Sequence, residues 1–484
     1  MSLAAPLAPS APATVRASAP VHILLPPLLA LAVLALCAFS PQVLNDGDTW
    51  SHVATGDWIL AHRAVPRVDP FSLTFAGAPW TAHEWLAELL FALAHRALGW
   101  SGVVVLTGAA AGAAVYVVAR RAARDLTGPA LIALAVLGVA LMSGGLLARP
   151  HVLALPVLAL WADHLFAARE RDRAPPLAAI ALMTLWANLH GGFAFGLALI
   201  GPFALEALWQ APAERRLGVF NEWVLFGLAS LAAALITPFG IEGLLFPFKL
   251  LDLTYLQQVK EWQPESFAHP GPLEFALLGL IGLALTKPLR LPPLRLLPLA
   301  GLIHMSLQHM RHEMLLAMIG PMLLARPIAE ALGARVEAAK PEPRGLAAAA
   351  LTLALAVAGA RFAAPIHRVD SATAPIGALA AVPEALREKP VLNGYGFGGY
   401  LIYQGLRPFI DGRADMFGDS FLARYSRIQS GDSEALERAL KQYGIAWTIF
   451  APGQGAVAAM DREPGWRRIH ADAVAVVHAR FPAP

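Results

Sequence analysis

The chain is divided by stretches of about 20 nearly uncharged residues, the length at which an α-helix crosses a hydrocarbon bilayer. They fall at about 21–40, 100–119, 128–147, 151–167, 176–190, 193–210, 220–238, 272–286, 294–308, 313–328 and 345–361. Lipid offers backbone groups no partner, so such runs must pair their own amides as helices. The reading is an α-helical polytopic membrane protein with about eleven transmembrane helices over 21–361. Some runs are short or interrupted by Pro and Gly, which neighbouring helices can accommodate. Only 15% of residues are charged, against about 25% in soluble domains, which excludes a soluble enzyme, a disordered chain and a coiled coil. Residues 1–20, rich in Ala, Pro and Ser, read as a disordered tail. The first run is too long for a signal-peptide core and reads as an uncleaved anchor. Leu36 is too large to precede a lipoprotein cleavage at Cys37. Cys37 is the single cysteine, so an intrachain disulfide and a cysteine zinc site are excluded. A net charge of +3 with scattered basic residues argues against nucleic acid.

Loop charges set the orientation. One side carries Arg16, Arg120, Arg121, Arg124, Arg169, Arg171, Arg173, Arg215, Arg216, Lys287, Arg290, Arg295, Arg326, Arg335, Lys340 and Arg344. The other carries only Arg63, Arg67, Arg96, Arg149, Lys249, Lys260 and Arg311. The basic side is expected inside, which places the N-terminus in the cytoplasm and long loops at about 41–98 and 239–271 outside. An odd number of spans puts 362–484 outside as well. That segment holds 13 Lys and Arg and 12 Asp and Glu, a balance near that of soluble domains. Short β-type runs at Pro390–Asn393, Gly399–Gln404, Pro408–Asp411 and Ile445–Ala451 are expected to join helices at 417–428 and 433–443 and a hairpin over Trp466–Arg480. A small extracytoplasmic α/β domain follows.

Polar groups near a membrane are costly, so their placement is informative. They collect at the outer ends of the spans. The first outer loop opens with Asn45-Asp46-Gly47-Asp48-Thr49-Trp50, then His52, and continues with Asp69-Pro70-Phe71-Ser72 and His83-Glu84-Trp85. Arg149-Pro150-His151 lies between the third and fourth spans, and Asn188 with His190-Gly191-Gly192 between the fifth and sixth. Glu261-Trp262 sits in the second long loop, and His309, Arg311 and His312 at a later outer turn.

An acidic pair just after the first span resembles the GT-C superfamily of polytopic glycosyltransferases, which use polyprenyl-phosphate-linked donors. Asp46–Trp80, with His83-Glu84-Trp85 after it, is similar to an uncharacterised bacterial branch, and Leu185–Phe193 and Gly394–Asp415 look like its later blocks. The resemblance implies sugar transfer from a lipid-linked donor to an envelope glycan, lipid or protein acceptor at the outer face of the bacterial cytoplasmic membrane. Such transfer needs a carboxylate to take the acceptor proton and positive charge or a metal for the leaving phosphate. Asp46 or Asp48 is the expected base, and His83 and Glu84 are further catalytic candidates. His52, Arg149, His151, His190, Glu261, Arg311 and His312 are expected to bind substrate. Asp46 and Asp48 are also the candidate ligands of a divalent metal, Mg²⁺ or Mn²⁺, although two carboxylates are an incomplete shell.

Other readings compete. Asp46-Gly47-Asp48 and Asp69-Pro70 suit turns, Arg149 and Arg311 can snorkel to headgroups, and the glycines after His190 suit close helix packing. Asp411-Gly412-Arg413-Ala414-Asp415 reads mainly as an internal salt bridge, with contact to the acceptor or capping of the membrane site as the other reading. Gly394-Tyr395-Gly396-Phe397-Gly398-Gly399 fits G-x-G-x-x-G, but an extracytoplasmic domain without a second dinucleotide half reads better as a tight strand–helix turn, so no nucleotide cofactor is expected. A transporter or flippase, and a non-catalytic polysaccharide assembly factor, are the rival functions. A transporter favours mid-span charges and a repeated half, and neither is seen.

Overall fold

A computed structural model describes residues 21–333 and 344–481. The tail at 1–20 lies outside the described residues. Each of the eleven apolar runs falls on a helix. Among the described residues seven helices are long and apolar enough to cross a membrane, with shorter apolar helices at Gly128–Ser143, Leu177–Leu189 and Pro272–Thr286. The chain is a multi-pass membrane protein. Large side chains such as Trp161, Trp186, Phe166 and Phe226 fill the space between helices, while Trp209, Leu228 and Leu285 point outward. Outward apolar side chains suit a bilayer, where lipid replaces water as solvent.

The expected first loop is partly helical. The helix Trp85–Ala122 begins well before residue 98 and bends at Leu98 and Gly99, where Gly99 has φ 59°. The segment before the bend packs on the helix Asp48–His62, so closely that a Cβ at Gly56 would stand 2.0 Å from the Glu88 carbonyl oxygen. A continuous apolar run reads as one span, and only the left-handed glycine exposes the break.

Charges separate to the two ends of these helices. At one end Arg121 meets Asp163 at 3.2 Å and Arg295 meets Glu206 at 3.0 Å. The helix Pro150–Glu170, about 30 Å long at 1.5 Å per residue, has Arg149 at its start and Arg169 near its end. The basic side and the polar site of the sequence therefore occupy opposite ends of one bundle.

The C-terminal domain carries a four-stranded sheet, β1 (Val391–Asn393), β2 (Trp447–Phe450), β3 (Trp466–Ala471) and β4 (Val476–Arg480), in the order β1-β2-β4-β3. β1 and β2 are parallel, and β3 and β4 form the expected antiparallel hairpin. The helices Ala414–Ser430 and Ser433–Gln442 match expectation. Two expected strands are absent. Gly399–Gln404 belongs largely to the helix Gly398–Tyr403, and Pro408–Asp411 is irregular. The reason is tertiary: that helix lies on the acidic loop, and Tyr400 and Tyr403 meet Trp50 edge-on at 5.1 and 4.9 Å.

Glycine makes this docking possible. A Cβ at Gly399 would stand 2.1 Å from the Gly47 carbonyl oxygen, and one at Gly398 would stand 2.2 Å from that of Ile410. Arg368 donates to the Leu44 carbonyl at 2.8 Å and stacks over Trp50. Backbone cannot retreat from an added methyl, so Gly399→Ala should destabilise the docked domain by about 1–3 kcal/mol, as overpacking does. Thermal unfolding in detergent, with limited proteolysis of the C-terminal domain, checks this; unchanged values would show that the contact is not tight.

Candidate functional site

Asp46 and Asp48 do different work. Asp46 Oδ1 accepts the Asp48 backbone N–H at 2.8 Å, closing the turn that starts the helix Asp48–His62. Asp48 faces a cavity of about 100 Å³ whose wall also includes His52, His83, Glu84, Glu88, Arg413 and Asp415. Its other neighbour is Gly412, where a Cβ would collide with Asp48 Oδ1.

Arg149 ties the acidic loop to the second outer loop. It caps the helix Pro150–Glu170 from an extended backbone, so its side chain starts from a rigid point. Nη2 donates to Asp48 Oδ2, Nη1 to Glu261 Oε2 at 2.7 Å, and Nε lies 3.5 Å from Asp46 Oδ1. Glu261 also meets Arg311 Nη1 at 3.4 Å, and Arg311 stacks on Trp262 with 4.3 Å to the ring centroid. This planar stacking and forked donation is what guanidinium offers and ammonium does not.

A second group surrounds Glu84. Its Oε1 lies 3.6 Å from Nε2 of both His83 and His190. His190 Nδ1 accepts the Gly192 N–H at 3.0 Å, so the ring's proton is on Nε2, facing the carboxylate. Burial opposes ionisation of Glu84, but the charges and hydrogen bonds of His83 and His190 outweigh it and hold its carboxyl well below the usual range. Burial lowers His83, and the Glu84 carboxylate more than restores it, so the ring titrates above its ordinary value. Trp85 Nε1 donates to Asn188 Oδ1 at 2.8 Å, which fixes this turn against the helix Ile180–Leu189.

The remaining expected residues divide. His52 Nδ1 is 3.3 Å from Glu88 Oε1 at the cavity wall. His151 Nε2 donates to the Gly145 carbonyl at 2.9 Å, and His312 Nδ1 meets that of Met305 at 3.3 Å. Backbone bonds of this kind hold loops, and neither histidine is on the cavity wall. His151 still stands 6.0 Å from the His190 ring, linking the Arg149 and Glu84 groups.

Sequence reasoning did not name Glu88 as a cavity residue, and it read Asp415 first as part of an internal salt bridge and second as part of a cap on the site; both residues line the cavity. Glu88 lies four residues after Glu84 and so shares its helix face, a signal that was readable. Asp415 comes from the C-terminal domain. Burial raises its carboxyl to about 6, although His83 and Arg413 pull the other way. The Asp411–Asp415 segment does contain the expected internal salt bridge, with one addition. Arg413 Nη2 meets Asp411 Oδ2 at 2.7 Å, and Nη1 meets Asp69 Oδ1 at 2.8 Å. Asp69 is also the expected turn residue, accepting the Phe71 N–H at 2.9 Å.

A divalent cation does not fit the acidic pair as arranged. Among the described residues no three His, Cys, Asp or Glu side chains converge as ligands. The oxygens of Asp46, Asp48 and Glu261 are instead turned onto Arg149.

No protein-family model and no curated protein matches the sequence. Solved structures do match. The crystal structure of the Archaeoglobus fulgidus oligosaccharyltransferase in the apo form aligns with 89% of this chain and 69% of its own, at 13% identity and a TM-score of 0.57. The same organism's oligosaccharyltransferase AglB in complex with an inhibitory peptide and a dolichol-phosphate aligns over the same shares, at 12% identity and a TM-score of 0.57. The chain shares the fold of these oligosaccharyltransferases over 89% of its length.

Within this fold, the Asp69–Arg413–Asp411 triad joins the loop after the first helix to the C-terminal domain. Asp411 and Asp69 are buried, and Arg413 stacks over Trp80 with 4.7 Å to its centroid. Removing the cation alone leaves two buried carboxylates unpaired, which costs about 3–5 kcal/mol. Arg413→Met should therefore lower the unfolding midpoint strongly. Adding Asp69→Asn and Asp411→Asn should recover part of the loss, and a triple variant no better than Arg413→Met would refute the ion-triad account.

Proposed function

We propose that the protein transfers a sugar or glycan from a polyprenyl-phosphate-linked donor to an envelope glycan, lipid or protein acceptor. The site lies at the outer face of a bacterial cytoplasmic membrane, with the N-terminus cytoplasmic and the C-terminal domain extracytoplasmic. The observation that carries this is the gathering of Asp48, Asp415, His83 and Glu84 round one cavity beside Arg149 and Arg311, at the end of the bundle away from the basic loops. The AglB complex holds a dolichol-phosphate, which supports a lipid-linked donor for a chain of the same fold. A hexosyl or pentosyl donor suits the cavity chemistry equally.

In the proposed reaction an acceptor heteroatom attacks the anomeric carbon. The new glycosidic bond forms as the bond from carbon to phosphate oxygen breaks, and the lipid phosphate leaves with the electron pair. Arg311 and Arg149 lie where they can meet its charge, with forks that match phosphate oxygens. The acceptor's proton goes to a cavity carboxylate. Asp48 already carries Arg149, whereas Asp415, lifted to about 6 by burial, ionises close to neutral pH, where a general base is most effective. We therefore assign the proton to Asp415 and give Asp48 the holding of Arg149. His83 and Glu84 share the cavity wall with Asp415, and to them we give the orienting of the acceptor.

A base must be deprotonated, so transfer should rise with pH through about 6 and fall away below it. Asp415→Asn should lower kcat by about 10²–10⁴-fold and remove that acid limb from the residual rate. Asp48→Asn should also lower transfer but keep the limb. Full activity in both variants, inserted and monodisperse, would sink the enzymatic reading and favour a scaffold. Loss of substrate movement across the membrane, with transfer never detectable, would favour a flippase.

A further inference from the structure

We propose that Arg149 fills the position of a divalent cation in this protein, so that the charge holding the acidic loop to the second outer loop is covalently built in. The inference rests on the proposed transfer reaction only for its consequence, that transfer needs no added metal.

The argument begins with the carboxylates. Asp46 and Asp48 follow the first helix, and Glu261 lies more than two hundred residues later in a short 3-10 turn, Lys260–Trp262. Nothing local brings them together. Three acidic groups gathered at one point repel one another unless a cation sits among them. Hard divalent cations are bound in this way, by several carboxylate oxygens at about 2.0–2.6 Å. Here the central body is the guanidinium, and each of its three nitrogens faces a different carboxylate: Nε faces Asp46 at 3.5 Å, Nη2 faces Asp48, and Nη1 faces Glu261 at 2.7 Å.

The arrangement has the two properties of a structural ion site. It is anchored, because Arg149 is set at the first turn of a helix with Pro150 immediately after it. It is also charge-balanced outward, because Glu261 shares its second oxygen with Arg311. A divalent ion entering this group would displace the guanidinium or sit against it, and like charges at such separation are strongly unfavourable. Removal of the guanidinium alone leaves Asp46, Asp48 and the Glu261 oxygen not held by Arg311 without their shared cation, and these oxygens are then free to close in on a hard ion. A histidine or amide at position 149 would not take the cation's place, because neither brings a permanent charge.

The test is Mn²⁺ titration of the detergent-solubilised full chain, read by electron paramagnetic resonance, with no transfer assay involved. The wild-type protein is expected to bind no stoichiometric Mn²⁺ at concentrations up to about tenfold over protein. Arg149→Ala is expected to gain one Mn²⁺ site, and Arg149→Ala with Asp48→Asn to lose it again. Arg149→Gln, which keeps most of the side chain's bulk, is the second variant if the alanine form aggregates. A wild-type protein that binds one Mn²⁺, lost on Asp48→Asn, overturns the proposal. So does a folded Arg149→Ala protein that gains none. If neither variant is monodisperse, the wild-type titration decides by itself. Transfer, where measurable, should change less than twofold on adding EDTA. A failed metal result leaves the glycosyl-transfer reading standing, and an inactive protein leaves the metal result readable.

Discussion

One guanidinium holds the working end of this protein together. Arg149 takes Asp46, Asp48 and Glu261 at once, and so fixes the acidic loop, the start of the helix Pro150–Glu170 and the second outer loop in a single relation. Its neighbour Arg311 extends the same chain of charges through Glu261. Charges at the edge of a bilayer cannot stand alone, and mutual pairing is what lets so many gather in one place. The paired state also defines the chemistry. Burial raises the Asp415 carboxyl to about 6, and among the described residues Asp415 has no arginine held on it as Asp48 has.

The C-terminal domain belongs to this site. It contributes Gly412, Arg413 and Asp415 to the cavity wall, and its helix Gly398–Tyr403 rests on Gly47 across glycine-sized gaps. The Gly-rich stretch thus serves close backbone approach, as the strand–helix turn reading anticipated. Two arginines make parallel arguments. Arg413 joins Asp411 of the domain to Asp69 of the first loop, and Arg368 joins the domain to Leu44 and Trp50. The domain is held at the cavity by ion pairs and ring packing and by apolar cores that Leu256, Trp262 and Trp50 share with it.

Much of the architecture was legible because its signals are local. Every apolar run falls on a helix, the C-terminal segment carries a small four-stranded sheet with helices, and several of the polar turns meet at one cavity. The misreadings share one cause. Gly399–Gln404 alternates like a strand, yet forms a helix because Trp50 takes up Tyr400 and Tyr403. The first outer loop conceals the start of a bent helix because only the φ of Gly99 marks the break. The Asp411–Asp415 segment was legible as an internal salt bridge or a cap on the site, but the burial of Asp415 near His83 is encoded by no local pattern.

What the sequence determined by itself is the solvent of each segment. Length and apolarity place the helices in lipid, and the scarcity of charge makes every polar turn conspicuous. What only the tertiary structure decided is which charges meet. Arg149 and Asp48 are separated by 101 positions, and Arg413 and Asp69 by 344. Coulomb attraction acts through space and depends on local dielectric, so partners brought together by helix packing leave no trace in spacing along the chain. The sequence named most of the groups at the site; the fold assigned them to one another, and in doing so turned an expected acidic metal pair into an arginine-centred cluster.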